Sequence, residues 1–190
     1  MSASLKLPFD LTVEQFFEWC PNDNVRWQLV DGEPQAMAPT RPRHGLLQAE
    51  ITRIIGNHLL ETGRPCNVVD APGVVPELRA SKNLRIPDLG VTCTPPSGED
   101  RSLREPVVLI EILSPSNRRE TWANVWAYTT ISTVQDIVVF HVEERRAELL
   151  RRRQDGAWPV EPAQVKSGDL VLESIGFRGP LESFYRTVGS

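Results

Sequence analysis

The sequence predicts an α/β domain of the α+β kind: a mixed β-sheet flanked by helices on both faces. Three observations predict it. Segments of helical period alternate with short apolar runs, in the order helix, hairpin, long helix, several strands, helix, strand, strand. The run Pro106-Val107-Val108-Leu109-Ile110-Glu111-Ile112-Leu113-Ser114-Pro115-Ser116 begins and stops at proline, and seven of its first eight residues are uncharged. It reads as a strand buried on both faces. An Asp31-Gly32 pair between two short apolar stretches is a strong hairpin turn signal.

The elements follow in order. Thr12 with Gln15 forms a capping box, and Val13, Phe16, Phe17 and Trp19 give a short amphipathic helix that Pro21 and Asn22 end. Residues 25–30 and 34–38 form the hairpin, and Pro39 and Pro42 mark its exit. From 43 to 62 the period is helical. Leu47, Ile51, Ile54, Ile55 and His58 form one stripe, and Gly63 is a natural stop. His44 begins that stripe at the N-terminus and points toward the core side. Residues 66–69 and 73–78 are short strand candidates, and 84–93 is a strand carrying Asp88. Residues 94–104 form a surface loop. After the Glu111 strand, Asn117 with Glu120 caps a helix whose core stripe is Trp122, Val125, Trp126 and Thr129. Residues 134–142 form a buried strand, and 147–153 return antiparallel across a turn at 143–146. Weak strands near 169–173 and a short helix near 181–185 complete the chain.

The chain of 190 residues reads as a single domain, 1–190, without repeat or linker. A net charge of −4 argues against a broad basic surface, so tight non-specific nucleic-acid binding is not expected from charge alone. Arg145, Arg146 and Arg151 to Arg153 are the one dense basic cluster, and its strand alternation suits a solvated edge better than a DNA track. Cys20, Cys66 and Cys93 are scattered and read as reduced thiols. Residues 1–10 lack the apolar core of a signal peptide, and no run is long enough to span a bilayer. The expected location is cytoplasmic, with no membrane partner.

Two carboxylates on core strands are the raw material of a divalent-metal site. A lone buried carboxylate is costly and is normally paired, protonated or metal-bound. Adjacent strands bring Asp88 and Glu111 within about 5 Å of each other, close enough to share one ion. Hard oxygen donors select Mg²⁺ or Mn²⁺. The structural alternatives are that Asp88 caps a turn and that Glu111 pairs with an arginine such as Arg85.

Pro87-Asp88 followed by the Glu111 strand resembles the outline of a PD-(D/E)xK nuclease site. Trp27-Gln28-Leu29-Val30-Asp31-Gly32-Glu33, Ala38-Pro39, Arg43-His44, Arg85-Ile86-Pro87-Asp88, Ile110 to Ser116 and Tyr128 occur in one order. Together they resemble the Uma2 family (DUF820, restriction-endonuclease-like) over residues 11–142. The resemblance implies a restriction-endonuclease-like core, a divalent metal and hydrolysis of phosphodiester bonds, with DNA the first expected substrate. It implies Asp88 and Glu111 as metal-binding acids, the Ile112 carbonyl as a further ligand, and His44 and Glu33 as polar residues beside the site.

One departure matters. The motif lysine would fall at Leu113, and the family's substitute lysine at Asn124, one helical turn before Tyr128. Asn124 can orient a water but cannot carry charge. Arg118, Arg119 and Lys82 are the cations that could compensate. Losing a group that acts in acid-base catalysis costs about 10²–10⁴-fold in rate. The leading expectation is therefore a Mg²⁺- or Mn²⁺-dependent endonuclease, slow for want of the lysine, with a homodimer as the expected assembly. The alternative is a catalytically inactive nuclease-fold binding or regulatory module.

Overall fold

The computed structural model describes residues 9–21, 24–115 and 117–188. Asn22, Ser116 and residues 1–8 lie outside them. Helix α1 spans Val13–Trp19, and both halves of the Thr12/Gln15 capping box form. Strands β1 (Trp27–Val30) and β2 (Glu33–Ala36) make the hairpin. Its turn has φ of 51° at Asp31 and 86° at Gly32. Two successive positive φ values define the turn that follows strand twist, which is why Asp-Gly sits there.

A six-stranded sheet organises the rest. It comprises β3 (Asn67–Asp70), β4 (Leu89–Thr92), β5 (Pro106–Leu113), β6 (Asp136–His141), β7 (Ala147–Arg151) and β8 (Ala163–Val165), in that spatial order. Only β5 and β6 pair in parallel, and α3 (Arg118–Tyr128) crosses between them. The remaining neighbours are antiparallel. Helix α2 (Pro42–Glu61) buries Leu47, Ile51 and Ile55 against Ile110, Ile112 and Phe140 on one sheet face. On the other face α3 packs Val125 and Tyr128 against Leu109, Ile137 and Val139. The expected two-sided strand is confirmed, since every residue of β5 except Val107 is buried.

A third cluster joins α1 to the hairpin through Val13, Phe16, Leu29 and Leu84. Leu29 and Leu84 exchange both backbone hydrogen bonds, at 2.8 and 3.0 Å. This docks the hairpin beside the segment that leads into β4. The hairpin β9 (Asp169–Leu172) and β10 (Phe177–Pro180) then covers the α2 face together with the turn Leu181–Tyr185.

Four expectations are corrected. Residues 73–78 form no strand but a single bridge, Val74 with Arg85. Asn117 stands at the N-cap of α3 without capping it, because its side chain turns back to accept from the Ser114 amide and hydroxyl, at 2.8 and 3.0 Å. The buried face of α3 is Thr121, Asn124, Val125 and Tyr128, while Trp126 is 43% exposed. Polar partners at Asn124 and Tyr128 outweigh the apolar area of Trp122 and Trp126 in choosing the face. Cys66 and Cys93 are not separate thiols; they form a disulfide. The β3–β4 register, Asn67 opposite Thr92, places them at the next pair position.

Arg151 and Arg152 of the arginine cluster are drawn into the fold, while Arg145 and Arg153 stay exposed. β7 is not an edge strand, since β8 pairs with its residues Ala147–Leu149. Arg152 donates to the carbonyls of Thr129, Ile131 and Ser132 at the end of α3 and stacks 5.2 Å from the Trp158 ring. Arg151 donates to the buried Asp136 at 2.8 Å and pairs with Glu173 at 2.7 Å, while Asp136 also accepts from Ser174 at 2.7 Å. This network fastens the C-terminal segment to the sheet. Asp136→Ala leaves the half-buried guanidinium of Arg151 without its central partner. An unfolding titration should show a loss of about 3–5 kcal/mol. A loss under about 1 kcal/mol would show that the network does not fasten the segment.

Candidate active site

Asp88 immediately precedes β4, and Glu111 lies in the last half of β5. The antiparallel register pairs Leu89 with Ile110. The next pair outward is therefore Asp88 with Glu111, and the two carboxylates meet at one end of the sheet. Asp88 Oδ2 accepts from the Ile112 backbone amide at 2.6 Å. Its Oδ1 lies 3.3 Å from Nε2 of His44, in the first turn of α2. Gln48, one turn further along α2, donates to the Asp88 carbonyl at 3.0 Å. A helix on one face thus fixes both ends of this residue, and Asp88 does more than cap a turn.

Glu111 is buried, with 6% of its surface exposed. Tyr128 of α3 donates its hydroxyl to Glu111 Oε1 at 2.7 Å. Burial pushes the Glu111 carboxyl well above its ordinary value of 4.5, and the charge of Asp88 pushes it the same way. Hydrogen bonds from Tyr128 and Asn124 oppose the shift. Burial first, and then the neighbouring Glu111, raise the Tyr128 hydroxyl well above 10.0.

Arg85 does not pair with Glu111. It is buried, and its guanidinium donates to Asn124 Oδ1 and Asn83 Oδ1, both at 3.0 Å. Its Nε has no hydrogen-bond partner among the described residues. Burial lowers its pKa from the ordinary guanidinium value, against the pull of Tyr128, Asp31 and Glu120. Asn124 Nδ2 in turn reaches Gln28 Oε1 at 3.4 Å, and Gln28 donates to Glu120 at 3.0 Å. The Asn124 amide thus meets Arg85 through its oxygen and reaches Gln28 and Glu111 through its nitrogen.

These residues floor and line a cleft of about 630 Å³. His44, Asp88, Glu111 and Asn124 all face it, and Arg26, Arg41 and Arg43 stand on its rim. Helices α2 and α3 both start at the cleft, and neither has a side-chain cap. Their N-terminal dipoles add positive potential to that of the arginines. The expected site residue Glu33 is placed otherwise. It is exposed on the hairpin and is not among the cleft-lining residues. The hairpin residue that reaches the site is Gln28, on the buried side of β1. Lys82 is bound to Asp10 beside the hairpin, and Arg118 and Arg119 are exposed outside the cleft lining. None of the three takes the place of the motif lysine.

A family model for Uma2, described as "Putative restriction endonuclease", matches residues 13–181. The chain belongs to the Uma2 family. The match runs past residue 142 through the C-terminal hairpin. A solved structure of a "putative nuclease belonging to DUF820" from Anabaena variabilis is similar at a TM-score of 0.72 and 15% identity, covering 94% of this chain and 99% of that one. The likeness shows the nuclease-type fold. No curated protein matches the chain.

The donor set fits a divalent ion of the kind this family generally uses. The charge of Asp88 adds to the cost of ionising Glu111, and a cation between the two hard carboxylates relieves it. Among the described residues no group of three or more His, Cys, Asp or Glu is arranged around a metal position. A two-carboxylate set is what Mg²⁺ commonly takes, keeping waters in its other positions.

The buried Glu111 sets a pH signature. Its folded-state pKa lies above 4.5, so the unfolded chain ionises first as pH rises. Its contribution is fully present below about 4.5 and is lost as pH climbs to the raised folded value. In metal-free buffer Glu111→Gln should therefore gain stability over wild type as pH rises through that window, read from denaturation midpoints. A constant difference across pH would mean Glu111 is not held protonated.

Proposed function

We propose that this chain is an endonuclease that hydrolyses phosphodiester bonds of DNA with Mg²⁺ or Mn²⁺. The observation that carries this is the juxtaposition of Asp88 and Glu111 on adjacent strands at the floor of a cleft rimmed by arginines. Asp88 and Glu111 would hold the ion, with the Ile112 carbonyl as a further oxygen. When bound, the ion supplies Lewis-acid polarisation of the scissile phosphate.

The chain's own residues do the rest. Tyr128 and Asn124 orient Glu111 through their hydrogen bonds. His44 holds Asp88 from the α2 side, with its Nε2 3.3 Å from Asp88 Oδ1. The rim arginines neutralise backbone phosphates. Without the motif lysine no side chain here combines charge with a water-binding position, so turnover is slow. Cutting both strands of a duplex calls for two such sites, which a homodimer would supply. No described helix is long and apolar enough to cross a membrane, in keeping with a cytoplasmic protein acting on DNA.

A second reading is favoured by one observation, the hydrogen bonds that tie the Asn124 amide to Arg85 and Gln28 in the place of the lysine. It makes the chain a nuclease-fold module that binds or regulates without cleaving.

Calorimetric titration with Mn²⁺ separates the two and requires no knowledge of the substrate. Wild type should bind at one site and Asp88→Ala should not. Plasmid cleavage with Mg²⁺ or Mn²⁺ should fall by at least about 10²-fold in Glu111→Gln. Absence of Mn²⁺ binding by wild type at millimolar metal would sink the nuclease reading in favour of the module.

A further inference from the structure

Two arginines of the cleft rim face carboxylates. Arg43, in the first turn of α2, has Nη1 3.4 Å from Oε2 of Glu143, in the turn between β6 and β7. Both residues line the cleft, so the pair joins its α2 wall to its β6–β7 wall. Arg26 likewise lies 3.6 Å from Asp70.

The turn that carries Glu143 has other acids, and they are engaged elsewhere. Glu144 pairs with Arg146 at 2.9 Å, and Glu148 pairs with His141 at 2.8 Å beneath the turn. The Val142 amide donates to the Leu113 carbonyl at 3.1 Å, which ties the base of the turn to the end of β5. Glu143 is the acid of the turn held against the cleft. Its side chain is 55% exposed and that of Arg43 is 46% exposed. An ion pair that open to water adds little to folding stability and exchanges readily with another anion.

A carboxylate and a phosphate offer a guanidinium the same pair of acceptor oxygens. We infer that Arg43 is a phosphate contact of this cleft and that Glu143 is its placeholder. Glu143 occupies the guanidinium that a backbone phosphate takes when nucleic acid binds. This rests on the nuclease reading above and narrows its substrate class. A tethered carboxylate acts at a high effective concentration, about millimolar or more. A free phosphate or mononucleotide, meeting Arg43 alone, competes poorly with it. A polynucleotide that engages Arg26, Arg41 and Arg43 together displaces it. Glu143 thereby favours polymers over small phosphodiesters.

The test is a double-mutant cycle on the full chain. Binding of a short fluorescein-labelled DNA duplex is followed by anisotropy in EDTA, which prevents metal-dependent cleavage. Glu143→Gln should tighten binding about two- to fivefold at low salt. Arg43→Gln should weaken it and reduce the slope of log K against log salt by about 0.9, the signature of one phosphate contact. In the Arg43→Gln background, Glu143→Gln should have little effect. Unchanged affinity in Glu143→Gln, or equal tightening in both backgrounds, would overturn the inference while leaving the nuclease reading standing. Equal tightening would mark Glu143 as a long-range repulsive charge only. No binding by any of the four chains would overturn both.

Discussion

The structure depends on a carboxylate that has been taken out of water. Glu111 stands near one end of the sheet, on a strand buried from both sides. Removing a charge from water costs several kcal/mol unless partners replace the solvent. The surroundings supply a hydroxyl from Tyr128 and an amide from Asn124, and then place Asp88 beside it, which raises the cost again. A hydrophobic strand with a valine at this position would be more stable. The arrangement makes physical sense when a cation completes it.

The same constraint explains the rotation of α3. Two tryptophans offer more apolar area than Asn124 and Thr121, yet Trp126 faces outward. Asn124 and Tyr128 are four residues apart and so share one face of the helix. That face must point at Glu111 if its lone pairs are to be satisfied. Arg85 is held by the same network. It is a buried guanidinium whose hydrogen bonds go to amide carbonyls rather than to a carboxylate. Its charge is balanced across space by Asp31 and Glu120. The positive charge that the sequence omits from α3 is therefore present one layer away, as an arginine that cannot act as a base.

Much of this was legible in the sequence, and the reasons differ by residue. Asp88 and Glu111 stood out because a charged residue inside an apolar run is costly wherever it occurs. The hairpin was legible because Asp-Gly has few other uses. His44 followed from helical period. The roles of Gln28, Arg85 and Tyr128 were not legible, because each acts through a partner distant in sequence; Gln28 and Glu120 are 92 residues apart. Glu33 looked equivalent to Gln28 in the hairpin motif, and only the docking of β1 beside α3, where Gln28 meets Glu120 and Asn124, tells them apart. The Cys66–Cys93 pairing depended on the β3–β4 register, which spacing alone does not give. The Arg151–Arg153 run misled for the opposite reason: clustered charge looks like surface until its carboxylate and carbonyl partners are known.

A net charge of −4 and a polyanionic ligand are reconciled by where the charges stand. Long-range steering follows the summed field, which here is weakly repulsive. Contact energy follows the local field, and the cleft sets three rim arginines and two helix N-termini beside four acids, Asp88, Glu111, Glu120 and Glu143. Beyond a Debye length of about 8–10 Å the acidic remainder is screened at ordinary salt. Binding should then depend on close engagement of the rim rather than on attraction from a distance. In such a surface a carboxylate that must be displaced from Arg43 raises the threshold for weak ligands more than for strong ones. An acidic body with a guarded basic rim thus selects for ligands that can touch several arginines at once, and a nucleic-acid backbone has that periodicity of charge.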